Sequence, residues 1–285
     1  MTRLAYVNGR YVNHSAGMVH IEDRGYQFAD GVYEVVMVYQ NRLVDEKGHL
    51  DRLESSLAHI KLSMPMSRRS MQLVMRHLIA QNRLDHGLLY IQVTRGVAPR
   101  DHKFPTNVKP ALVMTTKKTR ISSVNQEKGV KVVSVPDIRW KRCDIKSISL
   151  LPNILAKQQA AENGAFEAWF LDEQGMVTEG TSSNSWIISN NKVITRKASS
   201  AILNGITRQT LLEIIFKHKL HLEERSFSLQ EAMKASEAFL TSSSAFVIPV
   251  CQIDNIKISD GTPGIFTKNL LNYYRSAILD LPQIS

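Results

Sequence analysis

A lysine set among apolar neighbours is the first residue of this chain with the means to do chemistry. Lys146 lies in Arg142-Cys143-Asp144-Ile145-Lys146-Ser147-Ile148, between two isoleucines. Removing an ammonium from water disfavours its charged form, and the amine so released can attack a carbonyl. A surface lysine with chance isoleucine neighbours has the same pattern, so composition does not separate the two. Clusters of short polar side chains come next. Thr178-Glu179-Gly180-Thr181-Ser182-Ser183-Asn184 sets an acid among hydroxyls and an amide, which makes either a turn or a ligand-facing loop. Leu203-Asn204-Gly205-Ile206-Thr207 runs into a helical pattern, where N–H groups attract anions and Thr207 adds a hydroxyl. An ordinary N-cap reads the same way. Thr241-Ser242-Ser243-Ser244 follows a strand pattern, and the three clusters with one lysine point towards a phosphate-bearing ligand.

The rest of the composition narrows the function class. Among 285 residues, 36 Lys and Arg against 26 Asp and Glu give a formal net charge of +10. The densest cations, Lys117-Lys118-Thr119-Arg120 and Arg68-Arg69, are short runs without interleaved aromatics. That patterning reads as solvated basic surface, so no nucleic-acid partner is expected. A hydrophobic share of 43% excludes a disordered chain. No apolar run approaches the roughly 20 residues of a membrane span, and the first residues read as strand and turn rather than a signal peptide. Cytoplasmic localisation is the expectation. Cys143 and Cys251 fit reduced thiols better than a disulfide, and nine dispersed histidines without ligand spacing signal no metal.

These residues must be positioned by a chain that alternates hairpins and helices. Tyr6–Val12 carries an Asn-Gly turn between two short strands, and Gly31–Tyr39 is a β-branched run turned back at Gln40-Asn41. Leu50, Leu53, Leu57 and Ile60 predict a helix over 49–64, and Met71, Val74, Leu78 and Ile79 another over 67–82. Further strands are expected at 88–94, 111–115 and 130–135, with hairpins over 166–178 and 186–195. Helices are expected over 154–163, from about 206, and over 263–279. The mixture predicts α/β of the α+β kind rather than a doubly wound parallel sheet. The polar stretch 117–129 lacks periodicity, so the domains are read as 1–120, a linker at 121–129, and 130–285.

Taken together, the residues resemble the fold-type IV pyridoxal-phosphate enzymes, in their D-amino-acid aminotransferase branch. The resemblance runs nearly end to end. It is carried by Glu22-Asp23-Arg24-Gly25-Tyr26-Gln27-Phe28-Ala29-Asp30-Gly31-Val32-Tyr33-Glu34, His49-Leu50-Asp51-Arg52-Leu53, Gln92-Val93-Thr94-Arg95-Gly96 and Pro99-Arg100-Asp101-His102. Arg142–Ser147, Thr178–Asn184 and Gly205-Ile206-Thr207-Arg208 complete it. It implies a two-domain fold, a smaller N-terminal α/β domain and a larger C-terminal domain with a mixed, barrel-like sheet. It implies pyridoxal 5'-phosphate as cofactor, bound as a Schiff base to Lys146, which then shuttles the proton. Glu179 would face the pyridine nitrogen, Arg52 would grip the phosphate, and Ser183, Ile206, Thr207 and Ser243 would complete the cofactor site. Tyr33, Arg100 and His102 would bind the substrate carboxylate, the last two from the partner subunit of a homodimer. The implied substrates are D-amino acids, D-alanine foremost, and 2-oxo acids such as 2-oxoglutarate. A branched-chain L-amino-acid aminotransferase and an aminodeoxychorismate lyase are the alternatives within the fold. Some positions depart from the pattern: Ala29 stands where a glycine is expected, Asp101 places a carboxylate between Arg100 and His102, and Trp186 is placed to narrow the side-chain pocket.

Overall fold

The computed structural model of the chain describes residues 3–284; Met1 and Thr2, at the start of the expected strand-and-turn segment, lie outside it, as does Ser285. The chain divides into two compact units. The first takes the residues up to Arg120, then 145–149, then those from Leu281 onwards; the second takes 121–144 and 150–280.

The first unit is built on six strands: β1 (Leu4–Val7), β2 (Arg10–Asn13), β3 (Gly31–Tyr39), β4 (Arg42–Leu43), β5 (Gly87–Thr94) and β6 (Ala111–Lys118). They run in the order β2-β1-β6-β5-β3-β4, all neighbours antiparallel. Asn8 and Gly9 both take positive φ (47° and 93°), the geometry whose twist matches a two-residue hairpin. The short helix α1 (Arg24–Phe28) is capped by Asp23, which accepts from the Gly25 N–H at 2.8 Å, and ends at Ala29 in the left-handed region. An alanine there costs about 1 kcal/mol that the expected glycine would not. Helices α2 (Glu46–His59) and α3 (Arg68–Gln81) put Leu50, Leu53, Leu57, Met71, Leu78 and Ile79 into one core with the sheet. The segment 145–149 pairs with the start of β3: Tyr33 N–H donates to Lys146 O at 3.0 Å, and Ile148 N–H to Gly31 O at 3.1 Å.

The second unit holds the short helix α4 (Ser123–Lys128) and a nine-stranded mixed sheet with the helices that cover it. Its strands are β7 (Val130–Pro136), β8 (Glu167–Leu171), β9 (Val177–Gly180), β10 (Asn184–Ser189), β11 (Lys192–Thr195), β12 (Leu222–Glu224), β13 (Glu237–Ser242), β14 (Phe246–Ile253) and β15 (Ile256–Lys257). Parallel pairings at β11/β12, β14/β7 and β7/β8 interrupt antiparallel hairpins, and the sheet curls into a half-barrel. Trp169, Ile187, Phe227, Leu240 and Val250 lie in its core. The longer helices are α5 (Leu151–Glu162), α6 (Ile206–Lys217) and, after the short α7 (Leu229–Met233), α8 (Ile265–Leu279).

The stretch 121–129, read as a linker, contains α4. A six-residue helix spans under two turns, too few for apolar periodicity to show. It is anchored by buried Gln126, whose side chain donates to Ala245 O at 2.9 Å and accepts from Arg275 at 2.6 Å. Cys143 and Cys251 are both free and buried. Among the described residues, no helix is long and apolar enough to cross a membrane.

Candidate active site

In the first unit, strand alternation sends adjacent residues of β3 to opposite faces. Tyr33 is half-buried, and the Lys146 Nζ lies 4.2 Å from the centre of its ring. The Lys146 N–H donates to Ser56 Oγ at 3.3 Å, so main chain and side chain are both held. Tyr33 in turn stacks on Tyr90, 5.8 Å between ring centres. Burial, with Tyr33 close by, pushes the Tyr90 hydroxyl up to about 12, which keeps it a neutral donor to Gln92 Oε1 at 2.6 Å.

Glu34 faces the other way and is fully buried. Its carboxylate takes the Arg52 guanidinium on two atoms, Nε at 2.7 Å and Nη2 at 2.8 Å, and lies 2.7 Å from His49 Nδ1. His49 and Arg52 are one helical turn apart on α2, so one face presents both. Burial alone would raise the Glu34 pKa, yet the Arg52 charge and the hydrogen bonds from Arg52 and His49 outweigh it and hold the carboxyl well below the usual carboxylate range. The family resemblance singled out Arg52; the structure adds the acid that fixes its plane. A depressed carboxyl pKa contributes stability above the unfolded-state value of about 4.3 and loses it in acid. Glu34→Gln therefore costs about 3 kcal/mol at pH 7, read by urea unfolding. The gap to wild type should narrow as pH falls from about 5 towards 2.

Arg100 and His102 are exposed on the loop 96–110 and share one neighbour. The Arg100 guanidinium carbon lies 4.5 Å from the Phe28 ring centre, and the His102 ring 5.5 Å from it. The Asp101 carboxylate accepts from the Lys103 N–H at 3.3 Å, and its main-chain carbonyl accepts from Arg24.

In the second unit, Glu179 sits at the centre of a buried ion cluster. Its Oε1 accepts from Arg139 Nη1 at 2.5 Å, Leu203 N–H reaches both oxygens at 3.1 Å, and Asn184 Nδ2 donates to Oε2 at 3.1 Å. Arg139 also forks onto Asp137, at 2.9 and 2.7 Å. Two carboxyl groups thus share one guanidinium. Burial raises the Glu179 pKa, and Arg139 opposes the shift. Cys143, pushed up to about 11 by burial, remains a neutral thiol. Neither Arg139 nor Asp137 stood out in the sequence, because both partners lie about forty residues from Glu179.

Asn184 joins this cluster to the start of α6, donating also to Leu203 O at 2.9 Å. No side chain caps α6, and a Cβ on its N-cap Gly205 would lie 2.1 Å from Asn184 Oδ1, so a side chain there would have to displace the Asn184 amide. The hydroxyls of 181–183 converge on a residue the sequence did not single out, buried Glu167. Thr181 Oγ1 donates to its Oε1, while Ser182 and Ser183 donate to Oε2 at 2.9 and 3.2 Å. Ser183 thus gives its hydroxyl proton to Glu167. Ser243 lies in the turn between β13 and β14. Trp186 does not line a side-chain pocket: it is fully buried, stacked on Phe239 at 5.4 Å, and donates to Thr241 Oγ1 at 2.9 Å. Among the described residues no His, Cys, Asp and Glu gather as metal ligands.

Comparison with known proteins gives the family of the chain. The amino-transferase class IV family matches residues 31–253. The chain belongs to that family, the fold-type IV aminotransferases. It is 41% identical over 272 residues to the D-alanine aminotransferase of Bacillus licheniformis, covering 95% of this chain and 96% of that one. The D-alanine aminotransferase of Listeria innocua is 38% identical, covering 96% and 95%. Among solved structures, the branched-chain amino acid aminotransferase of Escherichia coli superposes with a TM-score of 0.91 at 19% identity, covering 98% and 95%. The branched-chain aminotransferase of the thermophilic archaeon Thermoproteus uzoniensis, solved with norvaline, gives 0.86 at 23%, covering 98% and 95%. At such identities these two share the fold.

Fold-type IV aminotransferases use pyridoxal phosphate, and the donor sets of this chain suit it. An aldehyde calls for a primary amine, and Lys146 supplies one over an aromatic face. A phosphate calls for convergent N–H groups, and the uncapped α6 start with its side-chain-free Gly205 is of that kind. A protonated ring nitrogen calls for a buried carboxylate, and Glu179 supplies one, with the Arg139 guanidinium opposing the rise in its pKa that burial causes.

Proposed function

We propose that this aminotransferase moves the amino group of a D-amino acid, D-alanine foremost, to a 2-oxo acid such as 2-oxoglutarate. The observation that carries the substrate class is the 41% identity to a D-alanine aminotransferase over 95% of the chain. The pairing of Arg100 and His102 about one ring supports a site for a carboxylate shared by both substrates.

When bound, pyridoxal phosphate supplies an aldehyde that captures the substrate amine and a ring that withdraws the electron pair left at the substrate Cα. The chain's own residues do the rest. Lys146 would hold the cofactor through Nζ and, with its amine free, would carry the proton lost at the substrate Cα. Arg52, its plane fixed by Glu34, binds the phosphate with the N–H groups of Ile206 and Thr207 and the Ser243 hydroxyl. Ser183 holds its turn in place through Glu167. Glu179 would accept from the ring nitrogen, and Arg139, 2.5 Å from its Oε1, opposes the rise in its pKa that burial causes. Tyr33, Arg100 and His102 bind the α-carboxylate, which fixes the enantiomer whose Cα–H faces Lys146. In this reading the enzyme is a cytoplasmic homodimer, with Arg100 and His102 serving the partner's site.

An enantiomer-resolved assay with 2-oxoglutarate tests the reading. D-alanine should yield pyruvate and D-glutamate while L-leucine stays unreacted. Activity on L-leucine alone would select the branched-chain alternative suggested by the shared fold. Pyruvate released from aminodeoxychorismate without an amino acceptor would select the lyase.

A further inference from the structure

Beneath the loop that carries Arg100 and His102, the first unit buries three charges that the reading above leaves unused. Arg24, Asp30 and Arg95 have side-chain exposures of 4%, 12% and 6%. Asp30 Oδ2 accepts from Arg24 Nε and from Arg95 Nε, each at 2.8 Å, and Oδ1 accepts from Arg95 Nη2 at 3.0 Å. Burial favours the neutral acid, but the hydrogen bonds from Arg95 and Arg24 outweigh it and hold Asp30 below the usual carboxylate range. One carboxylate between two guanidiniums leaves an excess positive charge, whose burial is partly offset by hydrogen bonds from Arg24 to Asp101 O and from Arg95 to Ile60 O.

Each arginine reaches from this cluster to the loop. Arg24 Nη1 donates to the carbonyl of Asp101, the residue between Arg100 and His102, at 2.5 Å, and the Arg24 N–H donates to Gly96 O at 2.9 Å. Gly96 starts the loop at φ +94°, and a Cβ there would lie 2.2 Å from Lys109 O. The Arg95 guanidinium lies 3.7 Å from the Phe104 ring centre. Phe28, the last residue of α1, gathers the functional end. Arg24 approaches its ring at 4.7 Å, Arg100 at 4.5 Å, and the His102 ring at 5.5 Å. A guanidinium on an aromatic face is held by the ring's quadrupole, and a cation fixed beforehand forfeits less freedom when an anion binds.

We propose that Phe28, backed by Arg24, is a positioning residue that holds Arg100 and His102 ready for the substrate carboxylate. The inference rests on the carboxylate-binding role given to those two residues above. It goes beyond that role by assigning part of the affinity to a ring that touches neither substrate nor cofactor.

The test uses the cofactor-loaded enzyme and reads kcat and KM separately. Phe28→Leu should raise KM for D-alanine and for 2-oxoglutarate about tenfold, with kcat held within about twofold. The inhibition constant of propionate, a carboxylate without a reactive amine, should rise in parallel, and the visible cofactor absorption should stay as in wild type. Phe28→Tyr keeps the aromatic face and should restore both constants. Arg24→Lys keeps the charge but lacks the fork that spans Asp30 and Asp101. It should move KM the same way, and it stands in if Phe28→Leu does not fold. On an Arg100→Ala background the Phe28→Leu effect should shrink below about threefold, since a positioning effect needs the residue positioned. An undiminished tenfold effect there would overturn the proposal. So would unchanged KM and propionate binding in both Phe28→Leu and Arg24→Lys while Arg100→Ala weakens them. If Arg100→Ala changes neither constant, the carboxylate reading itself fails and this inference falls with it.

Discussion

Lys146→Ala should lower transamination by at least about 10³-fold, because it removes both the covalent attachment and the proton carrier at one stroke. The same change should abolish the visible absorption of the covalently held cofactor. Borohydride reduction followed by mass spectrometry should place the cofactor on the peptide containing Lys146 in wild type and on none in the variant. Four other lysines are committed elsewhere. Lys157 is committed to Phe166 O and Glu167, Lys131 to Asn163 O, and Lys47 and Lys192 to surface carboxylates. Lys146 is instead held by its main chain on β3, with its amine over Tyr33. A reduced adduct on another lysine would sink the assignment.

Arg100→Ala should lower kcat/KM for D-alanine about 10²- to 10³-fold, the scale for removing one partner of a desolvated charge pair. Its larger use is to test subunit sharing. If Arg100 serves the partner's site, neither the Lys146→Ala nor the Arg100→Ala homodimer has a complete site. A mixed dimer has one, because the intact lysine and the intact arginine come from different chains. Mixing the two inactive variants under exchange conditions should then recover about a quarter of wild-type activity. No recovery, with exchange confirmed by tagged subunits, would place Arg100 in the site of its own chain.

These two predictions differ in how much of their support was legible in the residues alone. Local elements follow from neighbours in the chain. Asn8-Gly9 takes the positive φ of a hairpin turn, and the stripes Leu50-Leu53-Leu57 and Met71-Leu78 lie inward on α2 and α3. The order of motifs was enough to point to the family, which the comparisons then established. Element ends were less legible: α2 begins at Glu46 rather than His49, and α5 at Leu151 rather than Ile154. Where a helix starts depends on which end groups find partners, and an apolar stripe does not encode that.

The sequence by itself thus determined the mixture of elements, the family and the candidate residue types, because short-range hydrogen bonding and periodicity reside in adjacent residues. Tertiary structure alone decided the company those residues keep. It set the 145–149 segment against β3 in the first unit, although chain order continues from it into the second. It also fixed Arg52 with Glu34, paired Glu179 with Arg139, and turned the hydroxyls of 181–183 onto Glu167. Trp186 went to the core for the same kind of reason. A buried charge must find a partner and a buried ring must fill a space wherever the fold supplies them, and spacing along the chain does not record that choice.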